Sequence, residues 1–77
     1  MDIIAIRAKV TETKSGKGTD LLIHWLREGS ASPCVIVEDG EPRLIGGHIE
    51  TIEEMLPIVM AEHPGCVLTD RCDLVKL

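Results

Sequence analysis

Seventy-seven residues, 44% apolar and 27% charged, make a globular chain of one domain and exclude disordered, fibrous and multi-domain classes. With one Trp, no Phe or Tyr and a formal net charge of −5, the chain lacks the basic surface and stacking platforms that nucleic-acid binding uses. No apolar run approaches the ~20 residues that span a bilayer, and Met1-Asp2 leads straight into strand-like sequence with no secretory leader. The expectation is a cytoplasmic protein whose Cys34, Cys66 and Cys72 are reduced thiols.

So short a chain buries only about 60% of its unfolded surface, so an aliphatic core of Ile, Leu, Val and Met leaves little stability unless a disulfide, a metal or a partner adds to it. Charge is unevenly spread. Residues 1–17 carry Arg7, Lys9, Lys14 and Lys17 against Asp2 and Glu12, whereas residues 18–77 carry eleven carboxylates against four basic groups.

Asp2 to Val10 predicts a strand, with Ile4, Ile6, Ala8 and Val10 on one face and Ile3, Ala5, Arg7 and Lys9 on the other. Residues 11–18 (TETKSGKG) read as a polar loop. Thr19 or Asp20 then caps a helix over LLIHWLRE, ended by Gly29, with Leu21, Leu22, Trp25 and Leu26 as its apolar stripe. A strand competes for the same segment, because Leu21, Ile23 and Trp25 also alternate.

Cys34 to Val37 and Arg43 to Ile45 predict a hairpin around Glu38-Asp39-Gly40-Glu41, with Pro42 at the start of the return strand because it has no N–H to donate. Thr51 with Glu54 three residues on is a capping-box pattern, opening a helix that points Ile52, Met55, Leu56, Val59 and Met60 inward. Pro57 kinks this helix or delays its true start. His63-Pro64-Gly65 stops it, and residues 66–77 form a last strand, broken around Asp70.

This order, βαββαβ, predicts an α+β fold of the ferredoxin-like kind: a two-layer sandwich with two helices on one face of an antiparallel sheet. If residues 20–28 are a strand, the result is instead a four- to five-stranded antiparallel sheet with one helix. Either way, both faces of some strands are apolar: Cys34 and Ile36 point one way, Val35 and Val37 the other, and Ile3 and Ala5 repeat the pattern. A sheet with one solvated face alternates more cleanly, so a second cover is expected, from a twin subunit or from another protein.

Candidate sites are few. Lys14, Gly16, Lys17, Gly18 and Thr19, lying between a strand and a predicted helix, suit an anion held by backbone N–H groups and a helix N-terminus. They are not a phosphate-binding P-loop, which needs Gly at position 11 and Ser or Thr at 18. His63, Cys66 and Cys72, with Cys34 or His48, lack the paired spacing of a zinc site and read as structural. His24 has no neighbour that makes a nucleophilic constellation. Glu38, Asp39, Glu41, Glu50, Glu53 and Glu54 are solvated carboxylates that become one negative patch if the hairpin tip and the second helix meet in space.

The function expected is therefore a non-catalytic protein-binding module, an inhibitor or regulatory subunit. It would cover a basic surface on another protein or on itself, with Ile3 and Ala5 among the apolar contacts and the carboxylates steering. The alternative is a regulatory domain that senses a small anionic ligand at the first strand–helix loop. No cofactor and no membrane partner is expected.

Overall fold

The computed structural model describes residues 2–26, 33–47 and 49–76. Five strands form one antiparallel sheet: β1 (Asp2–Glu12), β2 (Gly18–Trp25), β3 (Cys34–Glu38), β4 (Glu41–Ile45) and β5 (Cys66–Lys76). A single 3₁₀ turn (Ile52–Glu54) leads into one short helix, α1 (Met55–Ala61), between β4 and β5. Across the sheet the order is β4-β3-β2-β1-β5. The first four strands run as a meander, and the chain then crosses one face through α1 to pair β5 with the other side of β1.

The ferredoxin-like sandwich is corrected to the one-helix arrangement. Residues 18–25 are a strand and not a helix, with Leu21, Ile23 and Trp25 buried while Asp20 and His24 are exposed and Leu22 is half-buried. The segment satisfies both periods, and partners decide between them. A helix of eight residues is too short to hold itself in water, whereas as a strand it is paired on both sides, from Thr11–Gly18 to Ala5–His24 with β1 and from Leu21–Glu38 to Trp25–Cys34 with β3. The predicted helix stop at Gly29 lies outside the described residues. The loop is also shorter than predicted, since Thr11, Glu12 and Gly18 belong to strands.

The hairpin of β3 and β4 forms as predicted. Asp39 (φ 50°) and Gly40 (φ 78°) both take left-handed backbone, the two-residue turn whose twist matches that of the strands it joins. Glu38 and Glu41 close that turn, so the next pair, Val37–Pro42, is one in which Pro42 turns its nitrogen away from β3 and no ladder bond is lost.

The capping box also forms, with the Glu54 carboxylate accepting the Thr51 N–H at 3.3 Å. Pro57 delays the α-helix: the first turn is 3₁₀, and Pro57 is the third residue of α1, where an N–H has little use.

The core lies between α1 and one face of the sheet. Ile6, Leu21, Ile23, Cys34 and Ile36 from the strands pack with Ile52, Met55 and Val59 from the helical side, all at most 2% exposed.

Two bulges set which residues reach that core. In β1 the register shifts between Ile3 and Ala5, so Ile3, predicted to share a face with Ala5, joins the core side instead. In β5 two residues, 70 and 71, lie between Thr69 and Cys72, opposite the single residue that separates Lys9 from Arg7. Asp70 takes φ 54° and is the break predicted there.

Candidate functional site

The helix covers one face of the sheet and leaves the other open. Register identifies what that open face carries. One row across it reads Leu44, Val35, His24, Ala5 and Leu74, and the next reads Pro42, Val37, Leu22, Arg7 and Cys72. Leu44 is 66% exposed, Val67 47% and Leu74 40%, while Leu22, Val35 and Val37 are half-buried. Scattered surface aliphatics are ordinary. Leu22, Val35, Val37 and Leu44 are neighbours on one side of one sheet, Leu74 joins them through Ala5, and Val67 stands apart beyond Thr69. Such a group marks an interaction surface.

The charges on this face are few and mixed in sign. Arg7 and Lys9 point outward from β1, and Asp20 stands directly across from Lys9 on β2. Arg7, Asp20, Leu22, Val37 and Gly40 line an open hollow of about 430 Å³. Beside it, the Thr11 and Thr69 hydroxyls meet at 2.6 Å across β1 and β5.

The predicted acidic patch does not assemble as one surface. Glu38, Asp39 and Glu41 are at the hairpin tip, beside Leu21 and Asp20. Glu50 and Glu53 share a hollow with Ile3 and Trp25, four residues away along β2, or about 13 Å. Glu38, Glu53 and Glu54 are also engaged within the molecule. Glu38 accepts from Arg43 at 3.2 Å and pairs with His63 Nε2 at 2.9 Å. Glu53 accepts from Arg71 at 2.6 Å, and Glu54 caps Thr51. Hydrogen bonds from Arg71 to Asp73 and then to Glu53 hold its proton more tightly than usual.

The first loop lacks the feature its anion reading needed. No helix follows it: Gly18 and Thr19 open β2. Its backbone donors are turned inward, Gly16 N–H to the Glu12 carbonyl at 2.8 Å and Lys17 N–H to Ser15 Oγ at 3.2 Å. Lys14 and Lys17 are exposed on this turn, which Thr13 pins to the Gly65 carbonyl.

Among the described residues no three His, Cys, Asp or Glu side chains are placed to hold a metal ion. Cys34 is fully buried on the covered face, and burial pushes its thiol pKa up, whereas Cys72 is exposed on the open one. His48 is outside the described residues. Among them also, no helix is long and apolar enough to cross a membrane.

The sheet's two edges carry features that oppose strand addition. Pro42 blunts β4, and in β5 the Asp70 bulge lies among Arg71, Asp73 and Lys76. The face and not the edge is therefore the surface on offer.

Of the two apolar residues predicted for an interface, Ala5 lies on the open face, shielded by its neighbours to 5% exposure, and Ile3 does not lie there. Sequence reasoning missed Leu22, Leu44, Val67 and Leu74. Their signal was parity: with residues 18–25 taken as a strand, counting outward from Ala5 through the paired strands reaches Leu22, Leu44 and Leu74.

Comparisons with protein-family models, with curated proteins and with solved structures found no match to this chain.

Proposed function

We propose that this protein is a non-catalytic, protein-binding module of the inhibitor or regulatory-subunit type, acting in the cytoplasm by covering a surface on its partner with the open face of its sheet. The single observation that carries this is the aliphatic face of Leu22, Val35, Val37, Leu44 and Leu74, left uncovered by α1. At about 25 cal/mol per Å² of apolar area removed from water, covering such a face is the largest favourable term available to the folded molecule.

Recognition in this proposal rests on the open face. The carboxylates that would steer a basic partner are divided between two ends of the sheet, and Glu38 and Glu53 are held by Arg43, His63 and Arg71.

A photo-reactive residue placed at Leu44 or Leu74, and for comparison at Ile58 on the exposed side of α1, tests the reading in extract of the native host. Adducts to protein are expected from the two open-face positions, competed by unlabelled wild-type chain and not by chain carrying Leu44→Lys. Adducts from no position, or equally from Ile58, would refute it.

A further inference from the structure

We infer that the occupant of the open face is a second copy of this chain, docked face to face about a twofold axis that passes the hollow between Arg7 and Asp20. This rests on the reading of the open face as a binding surface and adds the identity of what covers it.

Three observations lead there. First, the area is sufficient. Five strands at about 4.8 Å spacing and some six residues of length give roughly 500 Å² a copy, so a pair buries about 1,000 Å², the lower limit for a specific interface. Second, the charge is self-complementary. The chain carries −5 overall, and the helix-bearing side and its margins hold Glu38, Glu41, Glu53, Glu62 and Asp73 against Arg43 and Arg71. Two copies meeting through that side set carboxylates against carboxylates.

On the open face Arg7 and Asp20 line the same hollow. They stand at opposite corners of the quartet made by the pairs Arg7–Leu22 and Lys9–Asp20. An axis along the other diagonal therefore brings each copy's Arg7 to the Asp20 of the other. It also sets the two Lys9 side chains near the axis, where their long stems must carry the amines outward beside the Asp20 carboxylates. Such an interface is isologous, with every contact made twice. Third, both sheet edges oppose strand addition, which leaves face-to-face packing as the route by which this sheet acquires a second layer.

The test is sedimentation equilibrium of the purified full chain across a wide concentration range. The wild type is expected to show a monomer–dimer equilibrium. Leu44→Lys and Arg7→Asp should each weaken it at least ten-fold while circular dichroism shows the fold retained, and Ile58→Lys on the helix should leave it unchanged. Asp20→Arg alone should also weaken it, yet mixing Arg7→Asp chains with Asp20→Arg chains should restore association, because in that pair alone both contacts join opposite charges.

A wild type that is monomeric at every concentration overturns this inference, as does a dimer indifferent to Leu44→Lys or a mixture that fails to recover. Its failure is separable from failure of the broader reading. A monomeric chain that still forms competed adducts from position 44 with a different protein loses the second copy and keeps the binding face.

Discussion

Arg43 and Glu62 are joined by a two-pronged ion pair, Nη1 donating to Oε2 at 2.8 Å and Nη2 to Oε1 at 2.9 Å. It ties the edge strand β4 to the residue that ends α1, and a third bond from the same guanidinium reaches Glu38 on β3. Glu62 stands where the helix carbonyls are already partly negative, so without Arg43 its charge is out of place.

The Arg43 hydrogen bonds hold the Glu62 carboxyl below its usual pKa, with the Arg43 and His63 charges adding to the effect. A folded pKa below the unfolded one means that the stabilisation is complete above the ordinary carboxylate range and is lost as pH falls through the folded value. Arg43→Ala should return Glu62 to the ordinary range, read by NMR titration of its side chain, and should flatten that part of the acid limb of the stability curve. The exposed position of the pair makes the loss of stability small. An unchanged Glu62 titration would show that the ion pair does not form in solution.

Cys34 and Cys72 should differ sharply toward alkylating reagents. Cys34 is buried in the core with its thiol held protonated, and Cys72 is exposed on the open face. In dilute, monomeric protein Cys72 should react at the rate of a free thiol. Cys34 should wait for unfolding, a protection of about 10³-fold or more. Mass spectrometry of a labelling time course decides it, and comparable rates would mean that the covered face is open to solvent.

Asp70 is the hinge of β5. Asp70→Gly should be tolerated, whereas Asp70→Val, forced into left-handed backbone, should cost about 1–2 kcal/mol in urea unfolding. Deleting residue 70 should restore regular pairing. Arg71 alone then stands opposite Ala8, and the pairs from Arg7–Cys72 onward keep their register and faces, so hydrogen exchange beyond residue 70 should stay close to that of the wild type. Exchange accelerated throughout residues 72–76 would show that the bulge is needed to hold that register.

Ile36→Ala on β3 should cost about 2–5 kcal/mol, because the side chain is completely buried between sheet and helix. Small domains hold only about 5 kcal/mol or little more, so this variant should be largely unfolded under mild denaturant. Leu44→Lys, two-thirds exposed on the other face, should change monomer stability by no more than about 0.5 kcal/mol. The fluorescence of Trp25, buried in the same core, reports both melts through its red shift on unfolding. Equal losses would contradict the division of the sheet into a packed and an open face.

Features governed by neighbours in the chain were legible from residue types. Asp39-Gly40 suits left-handed backbone, so the hairpin could be drawn to within a residue. Thr51 and Glu54 carry their own cap, and Asp70 marks the break in β5. The opposed faces of Cys34–Ile36 and Val35–Val37 follow from a period of two. Less was legible of the candidate site. Ala5, Val35 and Val37 were visible, but Leu44, Val67 and Leu74 acquire meaning only through register with strands far away in the chain.

By itself the sequence determined an aliphatic α+β chain with a tight hairpin, a capped helix and apolar residues on both faces of its strands, because these depend on local backbone preference and side-chain parity. The tertiary structure alone decided that Gly18–Trp25 is a strand, since short segments take the conformation their partners stabilise. It likewise decided that Ile3 turns to the core and that the carboxylates are divided between two ends of the sheet. Bulges and strand order are long-range outcomes, reached when β5 returns to pair with β1.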